Sequence, residues 1–129
     1  MSGSSIYVRR ADCRRRDTPI ALVVIEADQL TPDERTAFTL LSSRVDTALL
    51  PNPKQVEFAA LCRQRGCAFD QATVIATTQH GLPLLLEAAV ALTLRGAGYE
   101  NEAAADVVFK PRSSGGLAAA IEYACRLVA

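Results

Sequence analysis

The stretch from Ile20 to Glu34, IALVVIEADQLTPDE, carries the clearest structural pattern in the sequence. It opens with a run of apolar, mostly β-branched residues, which is typical of a strand buried on both faces of a parallel sheet. Thr31, Pro32 and Glu34 then supply an N-cap, a first-turn proline and the third residue of a capping box, and they predict a helix start. A buried strand followed at once by a capped helix is the beginning of a βα unit.

The same alternation of strand and helix patterns continues to the end of the chain. It predicts the strands Ile20–Ile25, Val45–Leu50, Thr73–Ala76, Ala91–Leu94 and Val107–Phe109. It predicts helices from Thr31 to about Ser43, from Asn52 to Gly66, and over Pro83–Ala89, Glu102–Ala105 and Gly116–Val128. Right-handed crossovers between such strands place helices on both faces of the sheet. We therefore predict one domain over residues 18–129, a three-layer α/β/α sandwich with a mainly parallel, five-stranded, Rossmann-like sheet.

Two finer expectations concern the second helix and the N-terminal residues. The helix that starts at Asn52 is predicted to turn four side chains inward, those of Val56, Ala59, Ala60 and Cys62. Residues 1–17 are predicted to form an arm, in which Ile6, Tyr7 and Val8 can add a short extra strand. Five arginines follow these residues, Arg9, Arg10, Arg14, Arg15 and Arg16. Such a cluster is typical of a solvated terminus or of a surface that docks an acidic partner or a phosphate, and we take it as the candidate partner-docking element.

Composition excludes several function classes. The 129 residues carry 14 basic and 14 acidic side chains, so no global field draws the chain to nucleic acid or to an anionic membrane. No apolar run approaches the roughly 20 residues that cross a bilayer, and no secretory signal pattern is present. Four cysteines are too few for a disulfide scaffold. We expect a cytoplasmic protein that engages neither nucleic acid nor a membrane.

Ligands of such parallel sheets bind at the carboxyl ends of the strands. Glu26 and Asp28 follow the first predicted strand, and they are candidate catalytic carboxylates or, alternatively, loop and cap residues. Lys54 lies near the start of a helix, where its charge opposes the helix dipole. Thr77 and Thr78 precede another helix, where backbone N–H groups hold an anion or simply form a polar turn. Lys54, Thr77 and Thr78 are therefore the candidate phosphate-binding residues.

The remaining polar residues carry weaker signals. His80, the single histidine, is expected to be an exposed loop residue. Cys62 and Cys125 are expected in the core, and Cys13 and Cys67 as free thiols. No second cysteine pair completes a zinc site.

Three segments carry a resemblance to a known family. LPLLLEAA (residues 82–89), EAAADVV (102–108) and GGLAAAIE (115–122) lie at a spacing similar to that of the haloacid dehalogenase-like (HAD) phosphatases. They look most like the small branch without a cap domain that includes the 3-deoxy-octulosonate 8-phosphate phosphatases. PNPKQVEFAALCRQRG (51–66) resembles the lysine helix of that family, and IALVVIEADQLT (20–31) resembles its first strand and acidic loop. The resemblance extends from Ile20 to the C-terminus.

The resemblance implies a phosphate ester hydrolase that uses magnesium. In the family an aspartate after the first strand attacks phosphorus, and a second aspartate two residues later is the general acid and base. A serine or threonine and a lysine bind the phosphate, and carboxylates after a later strand hold the metal. The resemblance therefore places Glu26 at the nucleophile position, Asp28 at the acid/base position and Lys54 at the phosphate lysine.

This sequence departs from the family pattern at several of these positions. The extra methylene of Glu26 moves the attacking oxygen, and a misplacement of about 1 Å can cost on the order of a hundredfold in rate. The segment between Asp28 and Val45 is short by a strand, which residues 5–9 are candidates to replace. Residues 76–81, ATTQHG, contain no carboxylate where the family binds magnesium. The motifs are degenerate, and we expect no metal or other cofactor, magnesium being implied only if the chain is an enzyme.

Three functions are compatible with these residues. The leading hypothesis is a HAD-like domain without phosphatase activity, which binds an identical subunit, a protein of its pathway or a small phosphorylated ligand. The first alternative is an active phosphomonoesterase that uses Glu26 and Asp28. The second alternative is a pseudo-receiver signalling module, because DVVFKPRSSGGLAAAI (106–121) is similar to the strand, Lys-Pro and final helix of receiver domains, with Lys110 in the place of their lysine.

Overall fold

The computed structural model describes residues 6–8, 19–51 and 55–128. Its strands are β1 (Ile6–Val8), β2 (Leu22–Glu26), β3 (Asp46–Leu50), β4 (Ala72–Ala76), β5 (Val90–Leu94) and β6 (Val107–Phe109). Its helices are α1 (Pro32–Ser42), α2 (Gln55–Arg65), α3 (Leu82–Glu87), α4 (Tyr99–Ala104) and α5 (Gly116–Leu127). The predicted alternation of strands and helices is confirmed over these residues.

The strands form one six-stranded sheet in the order β1-β6-β5-β4-β2-β3. The five strands from β2 to β6 are parallel, as predicted. The short extra strand is also present, since β1 pairs antiparallel with β6 and places Tyr7 opposite Val108. It lies at the edge of the sheet opposite to β3. Residues 6–8 therefore do not fill a gap beside β2 or β3.

Helices cover both faces of the sheet and bury two separate hydrophobic clusters. On one face, α1 and α5 pack against alternate strand residues such as Val23, Ile75 and Leu92. On the other face, α2 and α3 pack against the intervening residues, such as Val24 and Val74. β2, β4 and β5 are buried along their whole length, as the continuous apolar runs predicted. The three-layer α/β/α sandwich is confirmed.

The start of α1 has the predicted capping box. The Thr31 hydroxyl accepts the Glu34 N–H at 3.3 Å, and the Glu34 carboxylate accepts the Thr31 N–H at 2.9 Å. Pro32 occupies the first turn of the helix. This cap turns the chain sharply after β2 and so places residues 27–30 at the carboxyl edge of the sheet.

The predicted inward face of α2 is wrong in part. Val56 is 69% exposed and Ala60 is exposed, whereas Phe58 and Cys62 are the helix residues buried in the core. Phe58 and Cys62 are one turn apart, so they share a face, and Val56 lies about 200° around the helix from Phe58. The large ring of Phe58, stacked 5.1 Å from that of Phe69, sets the rotation of the helix.

The order of the parallel strands places a topological switch point at the carboxyl edge of the sheet. In chain order the parallel strands are arranged 2-1-3-4-5, and the connections change direction between β2 and β4. Ligands of open α/β sheets bind at such a switch point. A ligand site is therefore expected at the ends of β2 and β4. No helix in the described ranges is long and apolar enough to cross a membrane.

Candidate functional site

The Glu26 carboxylate is held by the loop that follows β4. One oxygen, Oε1, accepts the backbone N–H groups of Thr77 and Thr78, both at 2.8 Å. The other oxygen, Oε2, accepts the Thr78 hydroxyl at 2.9 Å. The Thr77 hydroxyl donates to the Glu26 carbonyl at 2.8 Å. The structure thus brings together three of the residues singled out in the sequence.

The geometry of this loop is that of an anion-binding site. Two consecutive backbone N–H groups donate to one carboxylate oxygen and a hydroxyl donates to the other, so the loop supplies three donors to one anion. The anion in the nest is the chain's own carboxylate, since Glu26 is the last residue of β2 and is only 3% exposed. We call the group formed by Glu26, Thr77 and Thr78 the carboxylate nest.

Because Gly81 has no side chain, there is room beside it for the Glu26 carboxylate. A Cβ on Gly81 would lie 2.6 Å from the Cβ of Ala76 and 3.0 Å from Oε1 of Glu26. The first distance is shorter than two carbon atoms tolerate. The turn Gln79–Gly81 can therefore run this close to the strand ends only because residue 81 has no side chain.

Asn101 in α4 is hydrogen-bonded to the loop of the carboxylate nest. Its Nδ2 donates to the Thr78 carbonyl at 2.8 Å, and its side chain is fully buried. Its Oδ1 has no hydrogen-bond partner among the described residues. Asn101 could not be selected from the sequence, because its contact depends on α4 packing beside a loop more than twenty residues earlier in the chain.

Asp28 lies outside the carboxylate nest. Its side chain is 82% exposed, and Oδ1 accepts the N–H of Gln29 at 2.7 Å and Nη1 of Arg112 at 3.4 Å. The hydrogen bond from Gln29 and the nearby guanidinium of Arg112 lower the pKa of Asp28 below its ordinary value. Glu26 and Asp28 therefore do not face a common point in this structure.

Arg112 joins the turn after β6 to the loop after β2. Its Nε donates to Oε2 of Glu34 at 3.0 Å, and its Nη2 donates to Oε1 of Glu34 at 2.8 Å, which is a bidentate ion pair. Nη2 also contacts the carbonyl of Gln29. Glu34 is 3% exposed, and the hydrogen bonds from Arg112 lower its pKa despite the opposing effect of burial. The sequence identified Glu34 only as a capping residue and did not identify Arg112.

Other candidate residues have simpler positions. His80 is exposed, as predicted, and its backbone N–H donates to the Thr78 hydroxyl at 3.2 Å. Lys54 and the five arginines between Arg9 and Arg16 lie outside the described residues, so their proposed roles stay predictions. Residues 113–116 form the turn that leads into α5, with Gly115 in the left-handed region at φ +87°.

The residues at the site do not fit a magnesium ion. Both Glu26 carboxylate oxygens already accept hydrogen bonds, and residues 77–81 contribute hydroxyl and amide groups but no carboxylate. Over residues 6–8, 19–51 and 55–128 no group of three or more His, Cys, Asp or Glu side chains is placed to hold a metal. Magnesium prefers charged oxygen ligands, and here the charged oxygen is engaged by protein donors.

Known structures with the same fold are phosphatases and hydrolases. A 3-deoxy-D-manno-octulosonate 8-phosphate phosphatase from Moraxella catarrhalis, solved with magnesium, phosphate and the KDO molecule, matches 87% of this chain and 89% of its own at a TM-score of 0.69 and 10% identity. The phosphatase of the same name from Yersinia pestis matches 88% of this chain and 82% of its own, at a TM-score of 0.66 and 14% identity. A HAD family hydrolase from Streptomyces avermitilis matches 88% and 92% at 0.63 and 11% identity.

These likenesses confirm the fold that the sequence resemblance implied. The chain has the HAD-like phosphatase fold, and at this level of identity the likeness concerns the fold alone. No model of a protein family matches the sequence, and a search of curated proteins gives no match either. The parallel strands have the order that receiver domains also show, but the six-residue α3 and the extent of the match favour the phosphatase fold.

Proposed function

We propose that this chain is a HAD-fold domain that acts by binding a protein partner and does not hydrolyse phosphate esters. The observation that carries the proposal is the carboxylate nest. The side chain at the family's nucleophile position is buried and accepts three hydrogen bonds from the neighbouring loop. This arrangement supports the proposal because the loop donors that could hold a phosphoryl group are already engaged by Glu26.

A nucleophilic carboxylate needs an oxygen that can approach phosphorus in line with the leaving group. For Glu26, that approach requires breaking part-buried hydrogen bonds at 2.8–2.9 Å. A dianionic ester also repels the carboxylate unless cations neutralise its charge. The loop 77–81 supplies no charged ligand for such a cation.

Asp28 is poorly matched to the acid/base position as well. A general acid that works near neutral pH needs a raised pKa. The hydrogen bonds from Gln29 and Arg112 lower the pKa of Asp28, so it stays ionised at neutral pH. Arg112 itself is engaged with Glu34 and Asp28, which leaves it poorly disposed to bind a phosphate.

The kind of partner follows from the same site. A small phosphorylated ligand would have to displace the Glu26 carboxylate from the carboxylate nest, whereas a protein surface would not. We therefore favour a protein partner, either a second copy of this chain or another cytoplasmic protein, with Arg9, Arg10, Arg14, Arg15 and Arg16 as the docking element. Analytical ultracentrifugation over a concentration series tests self-association, and the variant with these five arginines changed to glutamine is the matched comparison.

Turnover of a generic phosphomonoester by the purified chain tests the catalytic half of the proposal. With p-nitrophenyl phosphate and Mg²⁺, we expect the wild type and Asp28→Asn to hydrolyse no more substrate than buffer does. Calorimetry with Mg²⁺, with and without vanadate, is expected to show no binding heat. A wild-type turnover that Asp28→Asn abolishes, with the circular dichroism spectrum unchanged, would establish the active phosphatase instead.

A further inference from the structure

Two cysteine thiols meet at the C-terminal end of α2, far from the carboxylate nest. The helix ends in a Schellman motif, with Gly66 in the left-handed region at φ +69°. The Gly66 N–H donates to the Arg63 carbonyl at 3.2 Å, and the Cys67 N–H donates to the Cys62 carbonyl at 3.0 Å. In this motif the side chain of the residue after the glycine folds back onto the last turn of the helix, which places Cys67 against Cys62.

The two thiols line one apolar cavity of about 300 Å³. Cys62 is buried at 3% exposure, and Cys67 is half-buried, so the second thiol is the one within reach of a solute. Phe69, stacked on Phe58, forms part of the cavity wall. Burial, and next the neighbouring Cys67 thiol, raise the pKa of Cys62 to about 12. Cys62 therefore stays protonated at neutral pH, and Cys67 is the more available nucleophile.

We propose that Cys62 and Cys67 form a reversible dithiol–disulfide site, oxidised by a low-molecular-weight disulfide that enters this cavity. Disulfide formation needs two sulfurs held within bonding reach by the backbone. Here the hydrogen bond between Cys67 and Cys62 fixes the two backbones next to each other. Cys125 lies in the hydrophobic cluster on the other face of the sheet and cannot take the place of either thiol.

The reaction is a pair of thiol–disulfide exchanges. The Cys67 thiolate attacks one sulfur of the small disulfide RSSR, whose S–S bond breaks and releases RS⁻, and a mixed disulfide remains on Cys67. Cys62 then gives up its proton, and its thiolate attacks the Cys67 sulfur. The S–S bond to the second RS group breaks, RS⁻ leaves and takes up a proton, and the Cys62–Cys67 bond forms. Two protein thiols are oxidised to one disulfide, and RSSR is reduced to two RSH.

The test uses the full chain, reduced and then exposed to oxidised glutathione, alkylated and digested with trypsin. Arg63 and Arg65 lie between the two cysteines, so a Cys62–Cys67 disulfide joins two separate tryptic peptides. We expect this linked pair, an intact monomer lighter by two hydrogen atoms, and recovery of both thiols after dithiothreitol. Cys125→Ala, the control at another buried cysteine, is expected to give the same link.

Variants at each thiol separate the two steps. Cys62→Ser is expected to accumulate a stable glutathione adduct on Cys67, because the second exchange cannot occur. Cys67→Ser, at the half-buried position, is expected to leave Cys62 unmodified until the protein is denatured. The proposal is overturned if the wild type keeps glutathione on Cys67 without the intramolecular link. Links to Cys13 or to a second chain in place of the Cys62–Cys67 bond would overturn it too.

Discussion

Glu26 and Thr78 are joined by two hydrogen bonds, one from the Thr78 N–H to Oε1 at 2.8 Å and one from the Thr78 hydroxyl to Oε2 at 2.9 Å. Together with the Thr77 N–H, they attach the end of β2 to the loop after β4. A carboxylate of the chain itself therefore accepts the hydrogen-bond donors that this loop presents at the switch point of the sheet. Glu26 is an internal ligand of the loop.

Removing the carboxylate of Glu26 should destabilise the fold. Glu26→Ala leaves two part-buried N–H groups and a hydroxyl without their acceptor, and we expect it to lower the free energy of unfolding by about 2 kcal/mol. Glu26→Gln keeps one oxygen for the two N–H groups and should cost about 1 kcal/mol. Urea unfolding followed by circular dichroism measures both. An alanine variant as stable as the wild type would contradict the internal-ligand role.

The ion pair between Glu34 and Arg112 should make stability depend on pH. Arg112 lowers the pKa of the folded Glu34 carboxyl below its ordinary value of 4.5. The stabilisation is therefore fully present at neutral pH and is lost as the pH falls below about 4.5 and through the folded pKa. Arg112→Gln should lower the free energy of unfolding by about 2 kcal/mol at pH 7. As the pH falls, the free energy of unfolding of this variant should decline less steeply than that of the wild type.

Arg95→Gln is the control for this ion pair, because Arg95 pairs with Glu102 at 3.4 Å on the surface, where its side chain is 57% exposed. We expect it to change stability by less than about 0.5 kcal/mol at any pH. Urea unfolding at several pH values from 7 to 3 compares the variants. Parallel pH profiles for wild type and Arg112→Gln would show that the pair does not cause the acid sensitivity.

Two buried threonines in neighbouring strands should respond oppositely to the same substitution. The Thr73 hydroxyl has no hydrogen-bond partner in the described part of the chain, whereas the Thr93 hydroxyl donates to the Ala76 carbonyl at 2.9 Å. Both residues are fully buried. Thr73→Val should raise the free energy of unfolding by about 1 kcal/mol, and Thr93→Val should lower it by about the same amount. Thermal unfolding of both variants checks the signs, and equal signs would refute the assignment.

Asn101 should be sensitive to the loss of its amide donor. Asn101→Asp places a buried carboxylate against the Thr78 carbonyl, in place of the donor at 2.8 Å. We expect a loss of about 3 kcal/mol at pH 7. Burial raises the pKa of such a carboxyl above the unfolded value, so the loss should shrink as the pH falls towards that value and the group protonates. Asn101→Ala, which cannot titrate, is the control, and an equal pH profile for both variants would contradict the placement.

Much of the fold was predictable because its signals are local. The apolar run before Glu26 and the capping box at Thr31 and Glu34 each depend on residues that are near in sequence. The inward face of α2 was predicted correctly at Cys62 and wrongly at Val56 and Ala60, because the choice depends on which side chain packs against the sheet. There the ring of Phe58, stacked on Phe69, decides the rotation, and Val56 is left exposed.

The site was predictable only as a set of candidates. Glu26 and Thr78 are 52 residues apart, and Glu34 and Arg112 are 78 apart, so both contacts depend on which strands become neighbours. Strand periodicity does not give that order. The sequence also contains no sign that the carboxylate of Glu26 turns towards the adjacent loop and accepts hydrogen bonds from Thr77 and Thr78.

A phosphate titration of ¹⁵N-labelled protein, following the amide signals of Thr77 and Thr78, tests whether Glu26 keeps an external anion from these N–H groups. In the wild type we expect these signals not to move, because the Glu26 carboxylate already accepts a hydrogen bond from each of the two N–H groups. In Glu26→Ala we expect them to shift and saturate as phosphate enters the vacated nest. Saturable shifts of the same amides in the wild type would show that phosphate displaces the Glu26 carboxylate from these N–H groups. That result would contradict the proposal that Glu26 keeps the site from binding an anion.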